Sequence, residues 1–206
     1  TWLDREFRRR LAVAARVCER FDCDLFQLSW RPLIAAKPID HEEVVRAAKN
    51  WGKGDDKLRD WYPMAIGRAP LELARFACQR SNLWYDSELR RGYAKWLFSG
   101  AWLAVASFAM IGLFQKLDLV NFIVFMVPAA PVFIWAIREG FRQKDAATAN
   151  DTLKHEVESA IEEIMVGNLA EGSAIARARE IQDGIFQRRV ASSPLLFPQA
   201  YRWRRK

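Results

Sequence analysis

The sequence predicts a mainly α-helical membrane protein: one transmembrane helical hairpin, a small cytoplasmic α(+β) domain and a C-terminal antiparallel helical stem. Three observations carry that prediction. Residues 96–115 and 119–137 hold no ionisable side chain, and each as helix is about 28–30 Å long, the thickness of a hydrocarbon core. Cations gather outside both stretches, with Arg90, Arg91 and Lys95 before the first and Arg138, Arg142 and Lys144 after the second, while the connecting loop offers only Lys116 against Asp118. By the positive-inside bias both soluble ends of this chain are cytoplasmic. Finally, the soluble stretches space their apolar residues at helical intervals. A hairpin of this kind inside a soluble domain would need a larger and more apolar remainder to wrap it.

Four regions follow: 1–95, a cytoplasmic helical region with a short strand; 96–115 and 119–137, the spans; and 138–206, a coiled-coil-like stem with a basic tail. Leu3, Phe7, Leu11, Ala14 and Cys18 predict an amphipathic helix over 2–20 with these residues as its stripe. Phe21 to Leu28 alternates over its first half and predicts a strand or extended edge. Pro32 and Pro38 mark a loop. Asp40 with Glu43 makes a capping box for a helix through Val44, Val45, Ala48 and Trp51 that Gly52 closes.

Gly54-Asp55-Asp56-Lys57 is a polar turn, and Pro70 suits a first helical turn. No proline intervenes before Pro128, so Leu71 to Leu113 predicts one nearly continuous helix. Gly100, Ala104 and Ser107 line one side of its span, a small-residue pattern that lets membrane helices approach closely and oligomerise. Tyr93, Trp96 and Trp135 fall where aromatic rings favour the headgroup level, and Pro128 and Pro131 should kink the second span. Beyond it, Ala146, Ala149, Leu153, Val157, Ala160 and Ile164 form a coiled-coil-like stripe. Gly167-Asn168 ends that stripe, Gly172 marks a second break, and Ile175, Ala178, Ile181 and Ile185 predict a shorter helix folding back on the first.

The formal net charge is +7, but its distribution matters more. From Glu139 to Asp183 acids outnumber bases ten to five, whereas Arg188 to Lys206 holds six bases and no acid, so the tail suits its own stem or anionic lipid. Cys18, Cys23 and Cys78 give an odd number without metal-ligand spacing and read as reduced thiols. His41 and His155 have no spaced ligand set, and Asp22-Cys23-Asp24, read as strand, turns its two acids away from the thiol. No phosphate-binding glycine loop, dinucleotide fingerprint or nucleophile elbow is present. Metal and catalytic sites are therefore not expected.

The chemically richest segment is Cys78-Gln79-Arg80-Ser81-Asn82-Leu83-Trp84-Tyr85-Asp86. On a helix Gln79, Asn82 and Asp86 share a face and Arg80 neighbours Trp84. Such a set can bond a base edge or ribose while Arg80 meets phosphate and a ring stacks; it also fits a polar seam with Arg80 paired to Asp86 or Glu88. On the residues alone the seam is favoured.

That segment, with Leu89-Arg90-Arg91, Phe21-Asp22-Cys23-Asp24-Leu25, Lys37-Pro38, Asp60-Trp61-Tyr62-Pro63 and Gln182-Asp183-Gly184-Ile185-Phe186-Gln187-Arg188-Arg189, resembles the SMODS-associated four-transmembrane effector family. The blocks spread over nearly the whole chain. The resemblance implies a non-enzymatic effector in the bacterial inner membrane, acting in cyclic-oligonucleotide (CBASS) anti-phage signalling. It implies as partners membrane lipid, further copies of the chain and a cyclic di- or trinucleotide made by a nucleotidyltransferase related to cyclic GMP–AMP synthase, with no other cofactor and no DNA or RNA. The activated effector would oligomerise and permeabilise the membrane; a constitutive scaffold would use the same spans without a ligand. Arg80, Asn82, Trp84, Gln79 and Asp86, with Trp30, Arg31 and Lys37 from the preceding loop, are the candidate nucleotide site. Two spans where the family has four imply a further helical pair before Thr1, and Pro198 in the block Ser193 to Pro198 departs from the family pattern.

Overall fold

The computed structural model describes residues 2–50 and 61–192, apart from the side chains of Leu3 and Asp4. The turn at Gly54 to Lys57, Trp51, Gly52, Asp60 and the tail from Ser193 lie outside the described residues. The helices are α1 (Trp2–Phe26), α2 (Pro32–Ala35), α3 (His41–Lys49), α4 (Leu71–Phe114), α5 (Leu119–Met126), α6 (Ala130–Met165) and α7 (Glu171–Ala191), with 3-10 turns at Met64–Arg68 and Val127–Ala129. No strand occurs among the described residues. The chain divides into two compact units, whose described parts are residues 2–50, 61–85 and 150–192, and residues 86–149.

In the first unit the predicted strand is replaced by helix, because α1 runs on through Asp22-Cys23-Asp24 to Phe26. Steps of about 100° per residue then put Asp22 and Cys23 together on the buried side, while Asp24 turns outward to pair with Arg20 at 2.9 Å. Gln27, at φ 53°, ends the helix in a Schellman turn, the Leu28 amide donating to the Cys23 carbonyl at 3.0 Å. Buried Arg75 donates to the Phe26 carbonyl at 2.6 Å, satisfying another carbonyl of that end.

The expected stripe of α1 is also displaced. Phe7, Ala14 and Cys18 are exposed, and the buried face carries Ala15, Glu19, Asp22, Cys23 and Phe26. Carboxylates can occupy a core face only where cations meet them, and α7 supplies those cations. Around them one apolar core collects Cys23, Phe26, Leu28, Phe76, Cys78, Leu83, Val157, Ala160, Ala178, Ile181 and Ile185.

Residues from 150 onward in α6 pair antiparallel with α7, as the stripe at Leu153, Val157 and Ala160 predicts. Arg177 reaches Glu156 and Glu163, and a Cβ on Gly184 would lie 3.1 Å from Leu153. Gly167, at φ +77°, closes α6 with a second Schellman turn. Gly172 is not a break: it sits in the first turn of α7, and the connection is Val166 to Ala170. Asp40 is the N-cap of α3 but caps nothing with its side chain, which pairs instead with Lys37 at 3.0 Å.

The second unit is a hairpin. Lys116, at φ 50°, turns the chain after α4, and the Asp118 side chain caps α5 by accepting from the Asn121 amide at 2.8 Å. At Pro128 the α-helical ladder gives way to a 3-10 turn, since proline offers no amide to the preceding turn. Two glycines are points of close approach in the hairpin. A Cβ on Gly112 would meet Phe122 at 2.6 Å, and one on Gly140 would meet Phe98 at 2.7 Å. Phe98 packs edge-on against Phe141 and Phe108 edge-on against Phe133, while Phe108 meets Phe125 at a tilt. Polar bonds hold the other end: Arg90 donates to Gln143 at 2.7 Å and Gln143 to Glu139 at 2.7 Å, all three being buried.

α4 and the helical stretch Leu119–Met165 are each long and apolar enough to cross a membrane, and the chain buries almost none of their most apolar stretches. Trp102, Leu103, Leu113, Phe114, Leu119 and Val120 are all exposed. Trp96 and Trp135 are exposed too, as interface anchors require, but Tyr93 is buried in the hairpin.

Candidate functional site

Three of the sequence blocks that carry the family resemblance meet in one buried polar network. The Arg179 guanidinium, on α7 and only 3% exposed, donates to Glu19 on α1, to Asp183 one turn away at 2.8 Å, to the Cys23 sulfur at 3.0 Å and to the Ser29 carbonyl at 3.1 Å. Gln182 donates to Glu19 at 2.9 Å and to Asp22 at 3.0 Å. Arg189 reaches Asp22 at 2.7 Å and Arg31 reaches Asp183 at 2.6 Å. Three carboxylates thus face three guanidinium groups, which is the condition for keeping them charged away from water.

The environment leaves marks on the titrating groups. Burial pushes the Asp22 carboxyl above its usual range against the pull of Arg189. The Cys23 thiol is pushed up to about 11, by burial and then by the charge of Glu19, and burial pushes Cys78 to about 11 as well. Buried and held protonated at neutral pH, these thiols are poor nucleophiles. Among the described residues no cluster of His, Cys, Asp and Glu is arranged to hold a metal ion.

The α4 segment feeds into this network from one side. Gln79 is fully buried and donates to the Ala178 carbonyl at 2.8 Å and to Gln182 at 3.2 Å, leaving its own oxygen without a hydrogen bond. Arg80, on the outer side, donates to Glu158 of α6 at 2.8 Å rather than to Asp86 or Glu88. Burial works against ionisation of Glu158, yet the hydrogen bond and charge of Arg80 hold its carboxyl below the usual range. Asn82 accepts from the Tyr62 hydroxyl at 3.1 Å, and Trp84 is half exposed. Asp86 pairs with Arg90 at 2.7 Å.

The loop residues are engaged elsewhere. The Trp30 indole donates to the Ala36 carbonyl at 2.9 Å, Arg31 is bound to Asp183, and Lys37 to Asp40. Trp30, Arg31 and Lys37 therefore belong with α1, α2 and α7, whereas Arg80 and Asn82 make their bonds to α6 and to Tyr62. Glu19, Asp22, Arg179 and Gln182, which organise the network, were not among the sequence candidates. The signal for two of them was Asp22 and the Gln182-Asp183 block, but a strand reading of 21–28 could not place Asp22 opposite α7.

Of the candidate packing residues, Gly100 is exposed with nothing near its would-be Cβ, Ala104 is partly covered, and Ser107 is exposed with its hydroxyl returned to the Leu103 carbonyl at 2.8 Å. The close approaches at Gly112 and Gly140 lie elsewhere in the hairpin.

A family model described as the SMODS-associating 4TM effector domain matches residues 1–206. A Bacillus cereus (strain VD146) protein named a probable CBASS effector molecule is 25% identical over 194 residues, covering 93% of this chain and 63% of its own length. The chain thus spans less than two thirds of that relative. No solved structure matches.

Proposed function

This chain belongs to the SMODS-associating 4TM effector family, and from that premise we propose that it is a non-enzymatic membrane effector of anti-phage defence. It responds to a cyclic oligonucleotide by oligomerising and permeabilising the bacterial inner membrane. The observation that carries this reading is the family match over residues 1–206 of a chain whose two long apolar helices leave their outer faces uncovered. A cyclic oligonucleotide brings phosphates and bases together, so its site needs both cations and stacking rings. Arg80, with Asn82 and exposed Trp84 on the same helix, supplies that combination; Gln79, Asp86, Trp30, Arg31 and Lys37 support it or are drawn in when the loop rearranges. Ligand phosphate would compete with Glu158 for Arg80, which gives binding a direct way to loosen the α4 to α6 contact.

The spans contain no ionisable residue, so one hairpin cannot line a charge-selective pore. Clustering through the Gly100, Ala104 and Ser107 side would bring hairpins together, and conduction would be unselective or lined by other segments. The deciding experiment is dye release from liposomes containing the full-length protein, with and without a panel of cyclic di- and trinucleotides. Ligand-dependent release supports the effector. The engaged state of Arg80 favours the alternative of a constitutive scaffold, for which assembly would proceed and no nucleotide would release dye. The proposed topology has the Lys116 to Leu119 loop periplasmic. A cysteine at Gln115 should then label with an impermeant thiol reagent in intact cells, and no labelling there would overturn the orientation.

A further inference from the structure

The outer surface of α6, at the end of its apolar stretch, carries a cleft of about 550 Å³ lined by Pro131, Ile134, Trp135, Arg138, Glu139 and Arg142. Its composition changes along the helix: apolar residues come first and charged residues follow. Ile134 and Trp135 are 56% and 41% exposed, leaving an apolar wall that the chain itself does not cover. Arg138 is exposed, and among the described residues it makes no ion pair or hydrogen bond. Arg142, one turn further on, has a side chain 67% exposed and only a long bond to Glu139, at 3.4 Å. Glu139, which also lines the cleft, is buried and divides its carboxylate, one oxygen accepting from Gln143 at 2.7 Å and the other from Arg142 at 3.4 Å, so the two exposed guanidinium groups outnumber it there.

We propose that this cleft binds one anionic phospholipid of the phosphatidylglycerol type, its phosphate held between Arg138 and Arg142 and an acyl chain lying over Pro131, Ile134 and Trp135. The proposal rests on the membrane part of the functional reading and on nothing about nucleotides. Two guanidinium groups at i and i+4 project from neighbouring positions on one helix face, and their planar forks suit bidentate contact with phosphate oxygens. The apolar wall continues from them along the helix, so the ligand must be anionic at one end and hydrocarbon at the other. A free anion would leave Ile134 and Trp135 uncovered, and a neutral lipid would leave Arg138 without a counter-charge.

The test uses the full chain exchanged in detergent against an equal mixture of phosphatidylcholine and phosphatidylglycerol, with retained lipid read by native mass spectrometry. Phosphatidylglycerol should be retained in preference, and R138Q/R142Q should reduce that retention at least about tenfold, as loss of charged hydrogen bonds implies. Trp135→Ala should also reduce it with both cations in place. Lys144→Gln, a charge change just outside the cleft, should leave it unchanged. Retention equal to the parent in the double variant, an equal loss in Lys144→Gln, or displacement of the lipid by inorganic phosphate would each overturn the proposal. Carbonate extraction of the same protein from membranes is scored separately: release into the soluble fraction would sink the membrane reading itself, whereas a carbonate-resistant protein without lipid preference sinks only this site.

Discussion

Arg179 and Glu19, 160 residues apart in sequence, form a buried ion pair in which both side chains are almost wholly removed from solvent. The pair joins α7 to α1 and is surrounded by Asp183, Gln182, Asp22 and Arg189, so each charge has more than one partner. Removing the guanidinium leaves Glu19 with only neutral donors, the Gln182 amide and the Cys23 thiol, while Asp183 keeps Arg31. Arg179→Ala is expected to cost roughly 3–5 kcal/mol, read as a lowered denaturation midpoint of the detergent-solubilised protein. Arg177→Ala, whose pairs are at the surface, is expected to cost about 1 kcal/mol or less. Similar losses for the two would show that the network contributes no more than surface charge.

Arg80 and Glu158 offer a second contrast. Their pair is partly exposed, so Arg80→Ala should change stability by only about 1 kcal/mol or less. If Arg80 meets ligand phosphate, the same change should weaken cyclic-nucleotide binding by roughly 1.5–3 kcal/mol. Glu158→Gln should act in the opposite direction by releasing the guanidinium. Calorimetric titration of both variants checks this, and unchanged binding in a properly assembled Arg80→Ala protein would leave Arg80 only its structural contact.

The buried thiols give a pH dependence. Cys23 and Cys78 are pushed from 9.0 up to about 11, burial being the main cause. The neutral thiol is therefore favoured by folding; that contribution is intact below about pH 9 and is lost as pH rises toward 11. In the folded protein at pH 8, exposed Cys18 should react with a maleimide while Cys23 and Cys78 react only after unfolding. Mass mapping of the labelled positions is the check. Rapid labelling of Cys23 in the native protein would contradict its placement beside Arg179.

Glycines in the hairpin should fall into two classes. Gly112→Leu and Gly140→Leu drive a side chain into Phe122 and Phe98 and should cost about 1–3 kcal/mol through overpacking. Gly100→Leu with Ala104→Leu points into space that the chain leaves open or partly covered, so the hairpin should still insert and fold. If hairpins cluster through that side, the double variant should lose both crosslinked oligomers and dye release. Assembly and release at the parental level would rule out clustering through this face.

The sequence by itself determined what depends on composition along the chain. Two uncharged stretches of bilayer length, the long helix from Leu71, the proline break at 128 and the Leu153 to Ile164 stripe were all legible, because apolar period and proline chemistry act locally. What faces what was decided only by tertiary structure. Asp22-Cys23-Asp24 alternates like a strand, yet it is helix, because Arg189 and Gln182 meet Asp22 while Asp24 pairs outward with Arg20. The stripe of Phe7, Ala14 and Cys18 looked like the buried side of α1, but Glu19 and Asp22 took that place once α7 supplied their counter-charges. Gly112 and Gly140, not Gly100, proved to be the hairpin's points of close approach, since the position of an opposing phenylalanine ring is set by the fold and not by the residues next to the glycine.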